Sequence, residues 1–242
     1  MRKDEWTISI GSRLQEELWG GEARRLRSLL DVIATHVAES YGTPITWHSE
    51  VMTAEQWTDL DAIATEMVRN RRLDDFGVVF EALGSGGVAL GRRVGAPKDM
   101  IHSLWSAGLQ DEWPFTASFK FHTRYLYEEG GARPLREHPV PWLVSLVCGI
   151  VEAANATEVT IGNRRLQDEL WDARDPNNVW AITYVSPDVD TSGLPDTLTV
   201  YPCTAPAGGK VVVADLELAA HAPERLVHDL LLLDDRLRAH TG

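Results

Sequence analysis

Phe115-Thr116-Ala117-Ser118-Phe119-Lys120-Phe121-His122 alternates apolar and polar residues without a slip. A period of two marks a strand with one buried face and one wet face. Upstream, Phe76–Leu83 and Val88–Leu90 read as strands, and Gly84-Ser85-Gly86-Gly87 between them reads as a hairpin turn. Downstream, Thr157–Ile161, Val179–Val185, Leu198–Tyr201 and Val211–Ala214 are short runs rich in β-branched residues. The strand candidates do not alternate regularly with helices, so a doubly wound parallel sheet is disfavoured. The expected class is α+β: a mixed, largely antiparallel sheet with helices packed on it.

The helices follow from apolar spacing and caps. Trp6–Ile10 is a short strand, and Ser12 with Gln15 fits a capping box for a helical turn that Gly20-Gly21 interrupts. Leu26, Leu29, Leu30, Ile33 and Val37 form one stripe of a longer helix, with Gly42 placed as its C′ residue. Ile45–His48 reads as a strand. Thr53 caps a helix through about Arg71, with Trp57, Leu60, Ile63, Ala64 and Met67 inward. Val140–Ala154 is apolar nearly all round and reads as a buried helix. Asn163 caps a short helix to Trp171, and Pro223 opens a final helix carrying Leu226, Leu230, Leu233 and Leu237. Ile10–Trp19 and Ile161–Trp171 echo each other, by old duplication or by coincidence; each ends a strand at Gly, then caps a short acidic helix. The 242 residues suit a single domain with possible halves at 1–134 and 135–242, since Glu128–Pro134 is a polar, Gly-rich loop.

Charge narrows the function. Acidic residues number 36 against 23 Lys and Arg, a net charge of −13. Residues 1–121 hold 13 basic and 18 acidic residues, and residues 122–242 hold 10 and 18, so no acidic tail accounts for the excess. Such a chain is repelled by phosphate backbones and by anionic membranes. Met1-Arg2-Lys3-Asp4-Glu5 is charged with no apolar stretch behind it, and Trp142–Val151 is half of the roughly 20 residues a bilayer span takes. The expectation is a cytoplasmic protein. Cys148 and Cys203 sit in apolar surroundings and read as reduced, structural thiols.

Motifs for chemistry are weak. Gly84-Ser85-Gly86-Gly87 loosely fits a dinucleotide fingerprint, but a strand follows it where a phosphate site needs a helix N-terminus. The eight histidines show no zinc-protease spacing; His48 with Glu50 on one strand face reads as a solvated strand end. Asp74-Asp75 and Asp111-Glu112 are the acid pairs that could serve as acid and base, and they read as solvated turns. The expectation is therefore no catalysis, no cofactor and no metal. Among nine tryptophans, Trp105 and Trp113 flank a loop with Asp111 and Glu112, the composition of a protein-binding patch; a Trp covering the sheet is the other reading.

The second half carries a resemblance. Val179-Trp180-Ala181-Ile182-Thr183-Tyr184-Val185-Ser186-Pro187, the Leu194-Pro195 step, Gly208-Gly209-Lys210-Val211-Val212-Val213-Ala214 and the closing Leu233-Asp234-Asp235-Arg236-Leu237 helix follow in order. This succession resembles the C-terminal half of the immunity protein 52 family, as does Ile150–Asn155 at a helix end. Gly11-Ser12-Arg13 resembles that family's N-terminal Trp-Gly-x-Arg, with Ile10 where Trp is expected; Val179 likewise replaces the Gly before Trp180. The resemblance implies an immunity protein that binds and neutralises a cognate toxin of bacterial competition systems, often a basic nuclease with a restriction-endonuclease-like fold. An acidic inhibitor suits a basic cleft. The candidate contact residues are then Glu16, Glu17, Asp111, Glu112, Glu128, Glu129, Asp168, Glu169 and Asp172, with Trp105 and Trp113 as aromatic anchors. Two other readings stand beside it: a small cytosolic enzyme with an acidic site acting on a small or peptidic substrate, and an oligomerising structural domain.

Overall fold

A computed structural model describes residues 5–12, 18–41, 43–69, 71–73, 79–94, 99–108, 115–122, 139–174, 179–205 and 208–241. The chain divides into two units. We call residues 10–121 with 153–156 the N-terminal unit, and residues 1–9, 122–152 and 157–242 the C-terminal unit. Strand β1 (Glu5–Ser12) gives residues to both, with Trp6, Ile8 and Ile10 buried at alternate positions. The α+β class holds, and every strand pair whose register is described is antiparallel.

In the N-terminal unit, α1 (Trp19–Tyr41) precedes β2 (Ile45–His48), and α2 (Leu60–Arg69) leads into β3 (Arg71–Leu73), β4 (Val79–Arg93), β5 (Asp99–Gly108) and β6 (Phe115–His122). The sheet runs β2-β4-β5-β6, with β3 also on β4. Helix α1 buries Leu26, Leu29, Leu30 and Ile33, and α2 buries Ile63 and Met67. The inward sheet face adds Trp47, Ala89, Ile101, Phe115, Ala117 and Phe119. Trp47 ties the layers: its indole N–H donates to Leu30 O at 3.1 Å, and its ring meets Phe119 edge-on at 6.1 Å. Burial alternates along β6 as the period of two predicts.

Three sequence expectations need correction here. Gly84–Gly87 is not a hairpin turn; it lies inside the single long strand β4. Gly84 pairs with Ala107 and Gly87 with Trp105, so β4 carries one more residue than β5 between these pairs. That is a β-bulge, a role glycine fills inside a strand as readily as it fills a turn. Gly20-Gly21 does not interrupt a helix but sits in the first turn of α1, where the amides of Gly21 and Glu22 reach Leu18 O. Ser12 ends β1, and its hydroxyl donates to Asn155 O at 2.9 Å. Thr53 and Gln56 do form a reciprocal capping box, but around a 3-10 turn at Gln56–Thr58. Helix α2 starts afterwards, its first amides, on Asp61 and Ala62, accepted by the Asp59 carboxylate. The Ser12–Gln15 pair beyond Ser12, Gly42, the start of the Phe76 run and the Glu128–Pro134 loop lie outside the described residues.

In the C-terminal unit the elements are α3 (Pro139–Ala154, of which residues 139–152 belong to this unit), β7 (Glu158–Asn163), α4 (Arg164–Ala173), β8 (Ile182–Val185), β9 (Leu198–Pro202), β10 (Lys210–Ala214), α5 (Leu216–His221) and α6 (Val227–Thr241). The strand order is β7-β8-β10-β9. Strands β8 and β10 are buried along nearly their whole length, as β-branched runs without alternation imply. The β9–β10 connection uses Gly208 and Gly209 at φ of +69° and +93°. A Cβ on Gly209 would stand 2.7 Å from both Tyr184 Oη and Val185 O, so this position is closed to any side chain. Leu226, Leu230 and Leu233 are buried as expected. Pro223 opens a 3-10 turn rather than the helix itself, and the short α5, capped by Asp215, was not foreseen. Cys148 and Cys203 are both buried and free; burial first, then a hydrogen bond with Cys148, pushes the Cys203 thiol up to about 12. A thiol so placed is an unreactive packing group.

Candidate protein-binding surface

Of the predicted contact residues, the structure brings three together: Asp168, Glu169 and Asp172, all on α4. This helix is fixed at both ends. At its start, Asn163 Oδ1 accepts from Leu166 N at 2.8 Å while its Nδ2 donates to Ala219 O at 3.0 Å. One side chain thus caps the helix and joins it to α5. Arg165 donates to His221 O at 3.3 Å and lies 3.5 Å from Glu224. At the far end, Arg174 reaches α6 through Asp234 at 2.9 Å, Asp235 at 2.7 Å and Leu231 O at 3.3 Å. Asp234 is 0% exposed, and Arg238 Nε donates to the same carboxylate oxygen at 2.8 Å. A buried carboxylate between two guanidiniums carries no uncompensated charge.

Leu166 and Leu170, four apart, point inward and are fully buried. At 100° per residue this turns Arg164, Asp168, Trp171 and Asp172 to the opposite side. Trp171 is 47% exposed. The Arg164 guanidinium lies 5.0 Å from its ring centroid, and Arg164 Nε meets Asp168 Oδ1 at 2.7 Å. Asp172 is exposed and Glu169 half-buried, and neither forms an ion pair with a described residue. The outward face therefore offers an ordered aromatic ring, the Arg164–Asp168 pair and one carboxylate, Asp172, without an ion pair to a described residue, while Glu169 lies on the flank of the helix. Trp171 and Arg164 join the acids expected on this helix. The signal for both was present in the Leu166/Leu170 spacing.

Trp105 is a correction. It is 2% exposed and cannot anchor a partner. It occupies an inward position of β5, opposite Gly87 on β4 and Ala117 on β6, two small residues that leave room for an indole. The alternative reading, a tryptophan covering the sheet, is the one that holds. Glu16, Glu17, Asp111, Glu112, Trp113, Glu128 and Glu129 lie outside the described residues.

The outward face of the N-terminal unit's sheet has another character. Val88 and Leu104, 44% and 54% exposed, are direct cross-strand partners. His102 and Lys120, both exposed, pair one position further along. Ser118, the partner of Leu104 on β6, and the exposed Thr116 share this face with them.

Among the described residues no group of three or more His, Cys, Asp or Glu side chains is placed to hold a metal ion. Among them, too, no helix is long and apolar enough to cross a membrane.

No protein-family model matches the chain, and no curated protein matches it. Among solved structures it is similar to Pseudomonas aeruginosa T6SS protein PA0821, at 13% identity and a TM-score of 0.47, over 94% of this chain and 72% of the other. Likeness of this degree transfers no function.

Proposed function

We propose that the chain is an immunity protein that binds a cognate bacterial toxin and neutralises it stoichiometrically, without turnover. The toxin is a basic nuclease effector delivered by a contact-dependent or type VI-like system, and the encounter takes place in the producer's cytoplasm. One observation carries this reading. Asp168, Glu169 and Asp172 are displayed on a helix locked at both ends, so the acidic groups are presented in a fixed geometry. Fixed charge on a rigid element lowers the ordering cost of association and steers a partner of opposite sign. The immunity-protein-like succession of Trp180, Gly208-Gly209 and the closing helix supports the same reading, as does the net charge of −13.

The test is titration of the candidate toxin, the product of the adjacent open reading frame. Nuclease activity should fall linearly with added protein and vanish at a fixed molar ratio, and co-expression should rescue growth. Undiminished toxin activity at molar excess would overturn the proposal.

A further inference from the structure

We draw no further inference here: the strongest candidate, the acidic loop between β8 and β9 that carries Asp188, Asp190 and Asp196, is a cluster of carboxylates to which nothing among the described residues adds a second sign of a ligand, the carbonyls of Val189, Asp190 and Ser192 being already taken by Lys210 and Arg236.

Discussion

The two units use antiparallel strands and helices in different ways. In the N-terminal unit, β6 buries Phe115, Ala117 and Phe119 and exposes Thr116 and Lys120, so its sheet is wet on one side. In the C-terminal unit, all four residues of β8 are buried, as are Val211, Val212, Val213 and Ala214 of β10, so those strands are dry on both sides. Alternation in sequence marks the first arrangement, and an unbroken apolar run marks the second. A sheet open on one side leaves a face to solvent, whereas strands closed on both sides leave helices, α4 among them, to form the outer surface.

Substituting a charge into each sheet would break this comparison most forcefully. Val212→Asp places a carboxylate in a position 1% exposed, where no partner awaits it, and should prevent folding. Leu104→Asp, on the open face, should alter stability by less than about 0.5 kcal/mol. Circular dichroism and urea titration of the two variants decide the matter; equal damage from both would mean that the open face is covered. Next in size, Leu230→Ala should cost about 2–5 kcal/mol if α6 closes the C-terminal core, read as a lower urea midpoint at constant slope. An unshifted midpoint would make α6 peripheral. The smallest effects concern the caps. Asn163→Ala removes a buried cap together with its bond to Ala219 O and should cost about 1–2 kcal/mol, whereas Asp59→Ala, on an exposed helix start, should cost about 0.5–1 kcal/mol. A reversed order would show that α4 gains little from its tie to α5.

What was legible in the sequence was local. Phe115–His122 and Ile45–His48 are strands at the expected residues, and the Asn163 cap forms as expected, because alternation and capping are decided by a few adjacent residues. Strand β5 was illegible for the opposite reason. Its inward positions run Ile101, Ser103, Trp105, and the polar Ser103 spoils the pattern. Only the folded sheet explains that serine: its hydroxyl lies 3.0 Å from Ala89 N and 2.7 Å from Ala89 O, so both of its hydrogen-bonding functions are met by the neighbouring strand. Missing β5 hid the inward place of Trp105, and it also left Gly84–Gly87 without the partner strand that makes it a bulge rather than a turn. The acids of α4 were legible as residue types. The Leu166/Leu170 spacing also marks the outward side of that helix, where Arg164 and Trp171 lie, whereas the ties of its two ends to α5 and α6 join residues 56 to 61 positions apart and are visible only in the fold.

Strand β9 ends the C-terminal unit's strand order and finishes on Pro202. Bonds from Cys203 N to Gly209 O and from Asp215 N to Thr197 O set the phase of its ladder, so Leu198, Val200 and Pro202 direct their backbone away from β10. The Leu198 amide is taken by Pro195 O, and Pro202 has no amide hydrogen. An incoming strand would find outward carbonyls to accept from it but, among Leu198, Val200 and Pro202, only the Val200 N–H as a donor. Strand addition is therefore discouraged at this end of the sheet, because most of the donors of a regular ladder are missing there.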